Sequence, residues 1–575
     1  MKKYIITIII TTALFLAATQ AAQGAVYYVA TTGTDTNPGT QAQPWRTVQK
    51  AANTLVAGDI CVVNAGSYDE RVKAVNSGTA DNPITFQVNG NAKVKGFTIT
   101  NKSYITIQGF EITHEGFTAE PYPGSSSTAS ILLTSSSNIR IIGNTIHMTE
   151  GNGIYFYDLD GPSKASNNVL VKDNVISRCG GLNSSAPYTG IYVYGNYNRV
   201  EGNDISHNGE DFIRLTGGNF NVIRNNLLHD NSLSDWPGVH VKEPPHIDGL
   251  QNWCASTNGL ALYWTLIENN ILLNAPSADS HFVIFQDHGN CGSSDIIIRH
   301  NTVSNLGDYF LTTGDLVKNI RIYGNTAVNV GIAKTVKDWT DISYVNNATG
   351  GKVINNLLYN TVRNGGNEAY ADASSSAGFF ADYNLGYNSE CAGSCIWTNP
   401  RPGIGQEPHA VLNKDPLFIN AAGDFHLQTN SPAKNAGGPL THVAVLDPGN
   451  GTTLLVDDAG FFQDGWTGIE ADWIAIGTAD NAAQIKSIDY TNNAIILADT
   501  LQRARGDPVW LYKDSSGKTV LYGTAPDIGA YEYVSPYGDI SGDGSVTAYD
   551  AALALQLNRG ELEAALIGQK VAGLL

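Results

Sequence analysis

The chain has 575 residues, with 34 lysines and arginines against 53 aspartates and glutamates, for a net charge of −19. So negative a surface argues against nucleic acid and against an anionic membrane face. It admits a polyanionic substrate only where a cation or a local basic cleft intervenes. Sixty glycines and abundant asparagine suit a fold of turns and strands, and the length allows several domains.

Lys2 and Lys3 precede an apolar run from Tyr4 to Ala18, followed by small residues up to Ala25. This is the layout of a secretory signal peptide (residues 1–25) and predicts an extracellular protein. Nothing later is apolar for long enough to span a bilayer. Export permits disulfides. Cys391 and Cys395 are close enough to pair, and Cys254 and Cys291 fall at similar places in neighbouring repeats. Cys61 and Cys179 have no evident partner, and no cysteine spacing suits a zinc site.

Val26–Val29 reads as a short strand. Trp45–Leu55 carries apolar residues at helical spacing, a helix that would cover the open end of a stack. A first coil strand follows within Asp59–Tyr68. From Asn144 to Asn356 one phrase keeps returning, as in Ile142-Gly143-Asn144-Thr145-Ile146 and Glu201-Gly202-Asn203-Asp204-Ile205. The anchors are Asn144, Asn174, Asn203, Asn226, Asn270, Asn301, Asn325 and Asn356, spaced 30, 29, 23, 44, 31, 24 and 31 residues apart. Such a period marks a solenoid, and the alternation within each unit is that of strands. One Asn per turn suits a bend with left-handed backbone at that residue, and its amide can bond to the Asn above and below. The expected fold is all-β, a parallel β-helix over residues 26–439 with an N-terminal helical cap. Tyr104–Ile112 is an earlier copy of the phrase, with Phe110 in place of Asn.

After Asn356 the repeats decay. Asp415–Phe418, Asp424–Leu427 and Pro526–Tyr533 read as closing phrases. Between them a small β module intrudes within residues 440–533, with strands at Thr453–Val456, Trp473–Ile476, Ala483–Ile488, Ala494–Ala498 and Pro508–Tyr512. In the tail (residues 534–575), Asp539, Ser541, Asp543, Ser545 and Asp550 fall at ligand positions of a twelve-residue EF-hand-like calcium loop, with Gly544 at the sharp turn.

The opening and closing phrases resemble those of secreted right-handed β-helix proteins of the pectate-lyase-like superfamily. That resemblance covers roughly residues 26–440. It implies the handedness, but its range of activities implies no single one. The tail resembles the first half of a type I dockerin, which implies Ca²⁺ and a cohesin-type scaffold as partner. Residues 559–575 have helical composition and hold no second such loop.

The interval from Asn226 to Asn270 is the longest, holding either two short coils or one coil with an excursion. It gathers Lys242, Glu243, His246, Asp248, Gln251 and Trp253. Laid over one another, the strands near 155, 192, 214 and 251 give an outward column of Tyr155, Tyr192, Arg214 and Gln251. Asp211 and Asp248 share the row before it, and Gln286, Asp287 and His288 lie one coil on. Two chemistries fit this wall. Glycoside hydrolysis would use two of Asp211, Asp248 and Asp287, with His246 or His288 tuning a proton donor. Elimination on a uronate would use Lys242 or Arg214 as a base of lowered pKa, with Asp248, Asp287 and Glu243 holding an active-site Ca²⁺. Tyr155, Tyr192, Gln251, Trp253, Gln286 and His288 would contact the sugar. The expected function is cleavage of an extracellular polysaccharide; the alternative is a non-catalytic glycan-binding or scaffold protein. Neither the paired aspartates and Gly-His-Gly of galacturonases nor a clear Arg-x-Pro-x-x-Arg of pectate lyases occurs, so the site rests on clustering.

Overall fold

The computed structural model describes residues 24–118, 128–157, 161–180, 188–231, 247–253, 260–286, 292–333, 342–361, 369–371, 375–389 and 407–534, except 278, 315 and 346. The predicted signal segment, Lys242, Glu243, His246, Asp287, His288, both predicted disulfides and the calcium loop from Asp539 to Asp550 lie outside the described residues.

Within them, 34 strands form one continuous parallel sheet wound into coils. The chain is a right-handed parallel β-helix. Each coil presents three faces: face A before the anchor asparagine, face B after it, and face C, reached through the longer connections. Inward residues stack from coil to coil. Face A stacks Ile141, Val171, Val200, Ile223, Ile267, Ile298 and Ile322, and face C stacks Ile154, Ile191, Ile213, Leu250, Val283 and Leu311. All are essentially buried. β-Branched side chains fit this pleated, doubly covered surface.

The anchor asparagines form a buried ladder. Asn226 Nδ2 donates to Asn270 Oδ1 (2.9 Å), Asn270 Nδ2 to Asn301 Oδ1 (3.0 Å), and so along the stack. Each also donates to a carbonyl of the coil behind, as Asn270 does to Ile223. The ladder runs one rung beyond the sequence reading, because Asn356 donates to Asn384 (3.1 Å). The direct Asn226–Asn270 rung shows that the 44-residue interval spans one coil rather than two. The left-handed residue is not the anchor, as expected, but the residue before it: Asp173, Asn225, Asn269, His300 and Asn355, or Gly143, Gly202 and Gly324. That residue turns the chain, and the anchor keeps ordinary backbone while its amide points inward.

The cap helix forms at Val48–Thr54, with Thr47 accepting from Lys50 N and Val48, Ala51 and Ala52 buried. The inserted module is a six-stranded antiparallel sheet that includes Trp473–Ile476, Thr478–Asp489 and Pro508–Lys513. It packs on face A, where Val222, Leu266 and Ile297 join a core with Leu454, Phe461, Phe462, Trp466 and Ile474. The closing segment returns to face B, with Ile528 against Val328, Leu357 and Leu385.

Candidate functional site

Face C aligns the predicted column. Tyr155 pairs with Tyr192, Tyr192 with Arg214, and Arg214 with Gln251. The two tyrosine rings meet edge to face at 4.9 Å, and the Arg214 guanidinium lies 5.6 Å from the Tyr192 ring. Gln251 is fully buried and donates to Gln286 Oε1 (3.0 Å), while Trp253 is exposed.

Asp211 and Asp248 share their row and are fully buried. Asp211 Oδ1 accepts from Asp248 N (3.2 Å), and Asp248 Oδ1 accepts from His281 N (2.9 Å). Each carboxylate thus satisfies the backbone of the next coil. Asp211 Oδ2 also accepts from Arg214 Nη2 (2.6 Å), and Glu210 lies 2.8 Å from the same nitrogen. Burial works against the Arg214 charge, but Asp211 and Glu210 more than offset it and hold its pKa above the ordinary value. A base of lowered pKa, the role expected for Arg214, is the opposite condition.

Face A holds what sequence reasoning missed. Its outward residues two places before the five successive anchors from Asn174 to Asn301 alternate in charge: Lys172, Glu201, Arg224, Glu268 and Arg299. The module reaches this row at Arg224, which donates to Ser515, and at Arg299. Arg299, fully buried, donates to Glu268 Oε2 (2.7 Å) and forks onto both oxygens of Asp472 (2.7 Å each). The signal was present in the sequence, as a charge at a constant offset from the repeat.

Beyond the covered stretch, face A and the module enclose a cleft of about 860 Å³. Its floor follows the coils from Trp264 through Asp295, Arg321 and Lys352 to Phe380 and Asp382. Four coil spacings make it roughly 19 Å long. Aromatic pairs mark its ends: Trp264 on Tyr490 (4.0 Å between centroids) and Tyr383 stacked on His409 (4.4 Å, 7°). Between them, Arg321 forks onto Asp458 (3.1 and 2.8 Å) with Asp295 at 3.5 Å. Asp382 accepts from the backbone N of His409 and lies 2.8 Å from its Nδ1. That contact orients the ring and leaves Nε2 for the cleft. Burial lowers the Lys352 pKa, and Asp458 only partly restores it. Lys352 makes no ion pair among the described residues; its ammonium lies 5.6 Å from the exposed Phe380 ring. Cys61 and Cys179 are buried free thiols, pushed up to about 12 by burial.

Residues 73–186 match the family model described as a right handed beta helix region. A 91-residue stretch is 34% identical to the uncharacterized protein YwoF of Bacillus subtilis (strain 168), covering 16% of this chain and 19% of that protein. The chain thus spans about a fifth of that relative's length. Among solved structures, XylC in complex with xylose is similar over 88% of this chain and 98% of that one (13% identity, TM-score 0.47). Pectate lyase Pel9A is similar over 73% and 93% (15%, 0.42), and GH136 lacto-N-biosidase from Eubacterium ramulus over 65% and 69% (12%, 0.40).

Proposed function

We propose that the protein is an extracellular enzyme that cleaves a polysaccharide in the cleft between face A and the module. The carrying observation is the cleft itself: about 860 Å³, bounded by aromatic pairs, with an oriented Asp382–His409 dyad and the Lys352 ammonium along one floor. Aromatic faces suit the apolar faces of sugar rings, and a few convergent polar groups set their orientation. Lys352 suits the carboxylate of an acidic sugar, supplying the local cation that a chain of net charge −19 needs for such a substrate.

The chemistry this favours is β-elimination on a uronate. His409 Nε2, with Nδ1–H directed to Asp382, takes the C5 proton; the C4–O bond breaks as a C4=C5 double bond forms, and the leaving oxygen takes its proton from solvent water, the imidazolium returning its own to solvent. Export through the segment before Ala25, Ca²⁺ at Asp539–Asp550 and a cohesin-type partner complete the reading. The test is a panel of neutral and acidic polysaccharides, followed by reducing ends and by the absorbance of unsaturated uronates. Both signals are expected together. Reducing ends alone would make the enzyme a hydrolase, and saturable binding with neither signal would make the protein a glycan binder. Replacing His409 or Lys352 with alanine should cut turnover by about a hundredfold. His409 is exposed and Lys352 half-exposed, so the melting temperature should stay near that of the wild type.

A further inference from the structure

At the entry to face C stands a second constellation, separate from the cleft. His281 continues the row of Asp211 and Asp248, and its residue is only 4% exposed. Nδ1 lies 2.8 Å from Asp248 Oδ1, and Tyr309 of the next coil stacks on the ring (5.6 Å, 11°). Held by both, the ring presents Nε2 to two carboxylates, Asp308 Oδ2 at 3.8 Å and Asp279 Oδ1 at 4.0 Å. Both distances are too long for a hydrogen bond. Nε2 makes no hydrogen bond among the described residues, although the side chain is almost wholly buried. One donor atom from each of the three residues lies within 4.8 Å of the others.

We propose that Asp279, His281 and Asp308 bind a divalent first-row cation of the zinc or manganese type, with Asp248 as the positioning residue. One imidazole nitrogen with two carboxylate oxygens suits these ions, whereas Ca²⁺ takes oxygen ligands. A carboxylate on the far nitrogen of a ligating histidine fixes its tautomer and orientation. Ligand distances of about 2.0–2.2 Å require the donors, now 3.8–4.8 Å apart, to close by roughly half an ångström to just over one. Asp279, with a side chain 62% exposed, is free to swing inward. Three protein ligands leave a coordination position open toward solvent.

The test uses the full-length protein, stripped with chelator and titrated with Zn²⁺ or Mn²⁺ by calorimetry and thermal melting. Ca²⁺ and Mg²⁺ serve as controls. The expected result is one equivalent per chain with a rise in melting temperature. Asp279→Asn, at the surface, should weaken binding at least about tenfold without changing the metal-free melting temperature, and Asp248→Asn should weaken it about 10–100-fold. Co²⁺ should give a visible d–d band that is lost in His281→Gln. Substoichiometric uptake, or uptake unchanged in Asp279→Asn, overturns the proposal. The geometry would then belong to an imidazolium held between carboxylates. Should Asp248→Asn fail to fold, Asp279→Asn alone decides.

Discussion

At the scale of the residue, one side chain does two jobs in each coil. Asn270 accepts at Oδ1 from both the backbone N and the amide of Asn226, and it donates to Ile223 O and Asn301. Asn270→Ala would strand several buried groups at once. We expect it to cost about 3 kcal/mol in denaturant melts, since each unsatisfied buried group costs about 1–3 kcal/mol. Asn305, on an exposed ladder between Asn274 and Asn329, competes with water. Asn305→Gly, which keeps the left-handed backbone of this position (φ 58°), should cost under about 1 kcal/mol in the same measurement. The buried carboxylates of Asp211 and Asp248 follow the logic of the first case, because each accepts a backbone N–H of the next coil.

Among elements, the faces differ in what covers them. Face A has apolar residues at Val222, Leu266 and Ile297 with a charged row beside them, and the module packs on both. Arg299 is the centre of that joint. Arg299→Met leaves the Glu268 and Asp472 carboxylates buried without their shared cation. It should destabilise by about 3–5 kcal/mol, read as an earlier unfolding transition and faster protease cleavage within residues 440–525. Where the apolar stretch ends, Arg321, Lys352 and Phe380 emerge from under the module, and the cleft opens at that point.

For the whole molecule, module docking should respond to pH. Burial is the main cause that raises Glu268 to about 7; Arg299 opposes it, while Asp514 and Asp472 add to it. Burial, with the Asp527 charge, raises Glu532 in the closing segment to about 8. A carboxyl raised on folding contributes stability that is fully present below its unfolded pKa, near 4.5, and is lost as pH rises through the folded value. Glu268→Gln keeps an acceptor for Arg299 and removes this titration. The variant's melting temperature should therefore gain on the wild type as pH rises from about 5 to about 8. A difference that stays constant over that range would remove Glu268 from the linkage.

The coil architecture was legible in the sequence because a parallel β-helix satisfies its needs locally and repeatedly. Every turn needs an inward β-branched residue, a left-handed position and a buried amide, so the pattern returns at each rung. Asn384 escaped notice because Tyr383 and Gly386 break the phrase around it, yet the rung forms. The wall of Tyr155, Tyr192, Arg214 and Gln251 was likewise readable, since register follows from the repeat.

By itself, then, the sequence determined the rungs, their register and which residues share a face. Only the tertiary structure decided what lies over each face. The module returns to coils some 170 residues earlier, as Asp472 does to Arg299, and no periodicity records so distant a contact. The cleft is enclosed by that contact, and so its chemistry could not be read from any single stretch of chain.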